Sequence, residues 1–297
     1  EVDVSLPEWG DGIDALPGWV GTYLQHSVRT GGPRYHNQLW SGFSVPGYVG
    51  DAVAAASNTS MFTYEVAPLA TLIEHELLGE LGRRVGFDDG EGLFVTGGSN
   101  ANMVAMHAAR QRVAPDFLSR GADGRQLVMF TSEAAHYSFK KAANLMGIGT
   151  DNVLTVATDR AGRMDPEALR SALTAARASG ATPFMVAATA GTTVVGAFDP
   201  IEAIATVCEA EGVWFHIDGA WGGSVAMSDR FKHLLDGSER ADSFTWDQHK
   251  MLGMPLICST VLFRQKGTLR ALNNVGGDDY IFHDADRPDS LDLGPIS

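Results

Sequence analysis

The chain predicts an α/β fold, a mostly parallel sheet covered by helices, and three observations predict it. Strand-like runs at residues 93–95, 127–131, 153–156, 184–189, 213–217, 243–246 and 259–263 alternate with helical patterns at 100–112, 137–146, 165–179 and 200–211. Such alternation implies parallel strands joined by crossover helices. Two Asp-Pro pairs, Asp165-Pro166 and Asp199-Pro200, each read as a helix N-cap followed by proline in the first turn. The largely apolar run 213–217 ends at Asp218, which sets a carboxylate at the carboxyl end of a buried strand, where open α/β sheets bind ligands.

Composition bounds the function. With 297 residues, 44% of them hydrophobic, the chain can bury a large core. A net charge of −14 argues against nucleic-acid binding, which needs clustered Lys and Arg. The two cysteines, Cys208 and Cys258, make neither a disulfide framework nor a metal-ligand spacing, so no metal is expected and a reducing cytoplasm is the natural compartment. No signal peptide or membrane-length apolar run is read, so no membrane partner is expected. Residues 1–60 are rich in glycine, proline and aromatics, including Trp9, Trp19 and Trp40, and read as an extended, partly helical arm. Residues 61–297 read as the main domain.

The chemistry-bearing pieces occur in an order that such a fold can use. Gly97-Gly98-Ser99 follows a short strand and opens a helical pattern. The glycines let the backbone approach an anion, and Ser99 is expected both to cap the helix and to donate its hydroxyl. His136 lies at a strand-to-helix junction, where an imidazole can stack on a flat ligand and work near neutral pH. Lys250 follows His249 and precedes the apolar stretch 251–257, which favours a neutral or imine-bound amine over a solvated ammonium. A lysine to hold an aldehyde as a Schiff base, a carboxylate for a ring nitrogen and a helix start for a phosphate are what pyridoxal 5'-phosphate needs. Each piece has a bland reading as an ordinary turn, strand end or surface lysine; their joint occurrence in this order does not.

From Tyr35 onward the chain resembles the group II pyridoxal-phosphate-dependent amino-acid decarboxylases, nearest the glutamate and cysteine-sulfinate branch. The resemblance runs through Asn58-Thr59-Ser60-Met61-Phe62, the pieces above and Asp289-Ser290-Leu291-Asp292-Leu293-Gly294. It implies a fold type I large domain with an N-terminal dimerisation arm. It makes Lys250 the Schiff-base lysine, Asp218 the partner of the pyridine nitrogen and His136 the ring-stacking residue that also faces the substrate. Gly98, Ser99 and His249 match phosphate-side positions, Ala220 packs under the ring, and Thr192 lies close to the cofactor. Gln38, Trp40, Ser60 and Phe62 match the substrate pocket.

Departures from that pattern refine the expectation. Glutamate enzymes carry a serine where this chain has Trp40, and sulfinate enzymes a phenylalanine. A bulky residue there favours a short acidic substrate, cysteine sulfinate or aspartate, over glutamate. Leu291 stands where glutamate enzymes carry a proton-donating loop tyrosine, and Tyr280 matches a tyrosine before that loop, which leaves His136 or a water as donor. The resemblance further implies a C-terminal domain, with an arginine for the substrate's α-carboxylate, beyond Ser297. The expectation is therefore a fragment, or a homodimer or hetero-oligomer with a chain supplying that domain, and inactivity of this chain alone. Residues 278–292, with six aspartates and Arg287, read as a solvated loop. Two rival functions are other pyridoxal-phosphate chemistry, such as an aldehyde synthase or lyase, and a non-catalytic subunit that retains the fold.

Overall fold

A computed structural model describes residues 4–5, 8–36, 39–40, 42–273 and 291–293. The chain forms two compact units, Glu1–Gln38 and Leu39–Ser297. In the first, a 3₁₀ turn over Ile13–Ala15 leads into helix α1 (Leu16–His26), and the Trp19 indole N–H donates to Asp11 at 3.0 Å.

In the second unit, α2 (Val45–Ser57) and α3 (Pro68–Arg84) precede strand β1 (Glu91–Val95) and α4 (Gly98–Val113). A short α5 (Phe117–Arg120), β2 (Leu127–Ser132), α6 (Ser138–Leu145) and β3 (Val153–Val156) follow. Then come α7 (Pro166–Ala178), β4 (Thr182–Thr189), α8 (Ile201–Glu211), β5 (Trp214–Asp218), β6 (Ser243–Asp247), β7 (Ser259–Phe263) and α9 (Thr268–Asn273). The described strands make one seven-stranded sheet in the order β1-β7-β6-β5-β4-β2-β3. β7 is antiparallel to both of its neighbours, and the other pairs are parallel. All seven strand-like runs read from the sequence are strands of this sheet.

The two-residue period of the strands sorts side chains between two cores. Val128, Phe130, Val186, Ile217, Phe244 and Trp246 pack with Leu81 of α3, Leu169 and Leu173 of α7 and Ile204 of α8. Their alternates, Leu127, Met129, Met185, Trp214 and Val261, pack with Ala101 and Ala105 of α4, Phe139 of α6 and Leu269 of α9. In α7 the i, i+4, i+7 spacing of Leu169, Leu173 and Ala176 forms the buried stripe. Burying each leucine stabilises the fold by about 2 kcal/mol.

The two Asp-Pro pairs end differently. Asp165 caps α7 as expected, its carboxylate accepting from Glu167 N–H at 2.8 Å and Ala168 N–H at 3.3 Å. An Asp165→Ala substitution is expected to cost about 1 kcal/mol, readable as a lower urea midpoint with an unchanged slope. Asp199 does not cap α8, whose N-cap is Pro200. Its buried carboxylate instead accepts from Met164 N–H at 2.6 Å and Thr189 N–H at 2.7 Å, joining the end of β4 to the loop before α7. The carboxylate that the sequence offers as a helix cap is taken instead by two backbone amides distant in sequence.

Candidate active site

The same strand period builds the site. Trp214, His216 and Asp218 alternate onto the α4 side of β5, and on β6 Ser243 and Thr245 pair with His216 and Asp218, with Asp247 next on the same face. The α4 surface above them is small, Gly98, Ala101, Asn102 and Ala105, all buried, so the helix lies close. Asp218, the last residue of β5 and 4% exposed, has both oxygens engaged. Oδ2 accepts from Asn102 Nδ2 at 2.8 Å and Oδ1 from Ala220 N–H at 3.1 Å. Burial raises its pKa above the usual carboxylate value, against the two hydrogen bonds and the Lys250 charge.

The carboxylate fixes the polarity of everything behind it. Asn102 Nδ2 donates to Asp218 and also lies 3.0 Å from Ser138 Oγ at the start of α6. Its Oδ1 therefore accepts, at 3.1 Å, from His216 Nε2–H. His216 Nδ1 is left to accept from Ser243 O–H at 2.8 Å, while Ser243 Oγ accepts from the Trp214 indole N–H, also at 2.8 Å. His216 is fully buried, and burial lowers its pKa to about 3, so it is neutral. Asn102 and His216 were not singled out from the sequence. Their only signal is that each is polar at a position whose period points inward.

Lys250 arises from a tight turn. Its N–H donates to the Asp247 carbonyl at 3.1 Å, which folds Nζ back to 2.8 Å from Asp247 Oδ2. The apolar run after Lys250 favours a neutral or imine-bound amine; the structure sets Asp247, which ends β6 on the same face, as its ion-pair partner. Asp247 is 1% exposed, and its Oδ1 has no hydrogen-bond partner among the described residues. The α4 start lies directly against it: a methyl carbon built on Gly98 would sit 2.6 Å from Asp247 Oδ2. Gly97, at φ 130°, is the N-cap and supplies no side-chain cap. The expectation that Ser99 caps α4 is thus corrected: Ser99 is the second helical residue and exposed. A helix start without a cap leaves its first amides for an anion.

The remaining residues frame this edge. His136 follows β2, and its Nδ1 accepts from Ser138 N–H at 3.2 Å, which places the proton of a neutral ring on Nε2. Burial pushes its pKa down, opposed by the charge of Asp218 and reinforced by that of Lys250. Ala220 bridges β5 and β6, its N–H donating to Asp218 and its carbonyl accepting from Asp247 N–H at 3.2 Å. His249 is held by the Cys258 main chain, with Nδ1 2.8 Å from the carbonyl oxygen, and its Nε2 lies 4.0 Å from Asp247 Oδ2. Thr192, buried in the loop after β4, spends its hydroxyl on Ala197 N–H at 3.0 Å. Ser60 and Phe62 share an exposed turn, Ser60 Oγ accepting from Phe62 N–H at 3.3 Å, and Trp40 is half-buried. Gln38 and Tyr280, like 278–290 of the acidic run, lie outside the described residues. Leu291 packs back toward α3, its carbonyl 3.3 Å from His75 Nε2, while Asp292 accepts from Tyr64 N–H at 2.7 Å.

Residues 1–293 match the model of the pyridoxal-dependent decarboxylase conserved domain. The chain belongs to the pyridoxal-dependent decarboxylase family. It is 45% identical over 269 residues to cysteine sulfinic acid decarboxylase of Mus musculus, covering 90% of this chain and 55% of that protein. It is 44% identical over the same length to the acidic amino acid decarboxylase GADL1 of Mus musculus, covering 49% of that protein. The chain thus spans about half the length of the curated relatives it matches. Among solved structures, that of mouse CSAD superposes with a TM-score of 0.94 at 42% identity, covering 99% of this chain and 61% of that one, and the fold is the fold type I α/β architecture.

The residues present suit the family's cofactor. The Asp218 carboxylate is buried and still short of a full counter-charge, as a partner for a pyridinium N–H should be. The glycine-lined, uncapped start of α4 is open to a phosphate, and Lys250 stands at the same sheet edge.

Proposed function

We propose that this chain carries the pyridoxal 5'-phosphate site of an amino-acid decarboxylase that converts a short acidic L-amino acid to its amine and carbon dioxide. The observation that carries the reading is the meeting of Asp218, Lys250 and the uncapped start of α4 at the carboxyl ends of β5 and β6. When bound, the cofactor supplies an electron sink for the pair of electrons released as the carboxylate leaves. Lys250 would hold the aldehyde carbon and yield it to the incoming amino acid. Asp218 would keep a proton on the ring nitrogen, and the Asn102–His216–Ser243 chain would hold Asp218 in place. The amides of Gly98 and Ser99, with the Ser99 hydroxyl and His249, would take the phosphate. His136 would stack on the ring, with Nε2–H facing the substrate as the candidate proton donor in the absence of a tyrosine at Leu291. Thr192 and Ala220 would complete the cofactor's surroundings, and Gln38, Trp40, Ser60 and Phe62 would line the substrate pocket.

The short acidic substrate is supported by the bulk of Trp40 and by the two relatives named for cysteine sulfinic acid and for acidic amino acids. A second chain is part of the proposal, as a homodimer or as a hetero-oligomer whose partner supplies the remainder of the relatives' length. Residues 1–60 would be the arm that meets it and 61–297 the cofactor-binding domain. α2 and α3 expose Tyr48, Val53, Leu72 and Ile73, an apolar surface that suits such packing. Among the described residues no helix is long and apolar enough to cross a membrane, and two unpaired cysteines, Cys208 and Cys258, accord with a cytoplasmic setting. Product analysis tests the reading: with cysteine sulfinate and aspartate, carbon dioxide and the amine are expected, faster than with glutamate. Aldehyde with ammonia and peroxide would establish the aldehyde-synthase alternative instead. Absence of any product from the cofactor-loaded assembly would leave a non-catalytic subunit.

A further inference from the structure

We propose that Asp247 is a positioning residue that restrains cofactor capture. Its carboxylate pairs with the Lys250 amine and sets a negative charge against the start of α4, so that loading must open this pair. The inference rests on the reading above, in which the phosphate lies at Gly98 and Ser99 and the aldehyde meets Lys250.

The geometry is specific to both halves of that reading. Asp247 Oδ2 lies 2.8 Å from Lys250 Nζ, and an amine held as an ammonium has no lone pair to offer an aldehyde. Capture needs Nζ to give up one proton, use the freed pair to form a bond to the aldehyde carbon and release the aldehyde oxygen as water. The same carboxylate fills the side-chain space of Gly98, since a carbon added there would lie 2.6 Å from Oδ2 and 2.8 Å from Oδ1. Its negative charge already occupies part of the positive potential of the helix start, for which a phosphate must compete. Oδ1 is buried without a hydrogen-bond partner among the described residues, so Lys250 offsets the charge at Oδ2 and no donor does so at Oδ1. Asp218 adds to this charge: that of Asp247 is felt at Asp218, and the charges of both are felt at His136. A carboxylate that served packing alone would not need to face both an amine and an anion site.

Asp247→Asn keeps the shape and removes the charge. Two readouts on the cofactor-free 297-residue chain separate its two effects: the affinity for inorganic phosphate by titration calorimetry, and the rate at which pyridoxal, which lacks the phosphate, is fixed on Lys250 by borohydride reduction and located by peptide mass. The variant is expected to bind phosphate about tenfold more tightly and to label Lys250 several-fold faster. Equal or weaker phosphate binding together with an unchanged labelling rate, in a wild-type chain that does take pyridoxal phosphate on Lys250, would overturn the inference and leave the proposed function standing. A wild-type chain that is not labelled at Lys250 would overturn both. If Asp247→Asn unfolds, as circular dichroism would show, Asp247→Ser, smaller and also neutral, is held to the same two outcomes.

Discussion

Replacing Lys250 with alanine is expected to abolish covalent cofactor capture and turnover together, whereas Asp218→Ala is expected to spare capture and lose turnover by on the order of a thousandfold. The dissociation follows from where the two groups act. Lys250 lies at this edge with its amine paired to Asp247 at the α4 start. Asp218 makes no bond to Lys250; its oxygens are spent on Asn102 and Ala220, on the side of the ring nitrogen in the proposed arrangement. Its proposed task is electrostatic, to keep the ring protonated while negative charge develops, and such terms appear in the rate more than in binding. The paired measurement is the borohydride-reduced mass of each variant beside its carbon dioxide release. An Asp218→Ala protein with normal turnover, or a Lys250→Ala protein that still fixes cofactor at the same rate, would contradict the assignment.

Acid is expected to weaken the fold through His216. Burial lowers its pKa from 6.5 to about 3 in the folded chain, so between those values the unfolded chain binds a proton that the native one refuses. Stability contributed by neutral His216 is fully present above pH 6.5 and is lost as the pH falls, by roughly 2 kcal/mol at pH 5 and on the order of 4 kcal/mol at pH 3. Asp199, raised to about 6 by burial, works in the opposite sense over part of that range, because its native form takes up the proton first. The difference between wild type and His216→Gln cancels that contribution. The variant is expected to be the less stable at pH 7.5, where it breaks the chain from Trp214 to Asp218, with the gap narrowing by roughly 2 kcal/mol at pH 5. A gap from urea unfolding that does not change with pH would show that His216 is not held neutral by burial.

The strands were legible because each is a short run of β-formers between turns, and the sheet uses them without override. Asp218 and Lys250 stand out as candidates by position alone, at a strand end and in the turn after the next strand. Asp199-Pro200 reads the same as Asp165-Pro166 in one dimension, and only the fold shows that Met164 and Thr189 need the second carboxylate more than α8 does. Asn102 and His216 escaped notice for a related reason. One reads as a polar residue in a helix and the other as an interruption of an apolar strand, and they meet across 114 positions of sequence. Asp247 lies three residues before Lys250, yet its proposed role depends on Gly98, which approaches it only when α4 packs over β6.

The most direct measurement of the central claim is peptide mapping of the chain after incubation with pyridoxal 5'-phosphate and borohydride reduction. The account predicts a single phosphopyridoxyl group on Lys250, formed in preference to the exposed Lys232 and Lys266. Labelling spread over the surface lysines, with Lys250 unmodified, would contradict it.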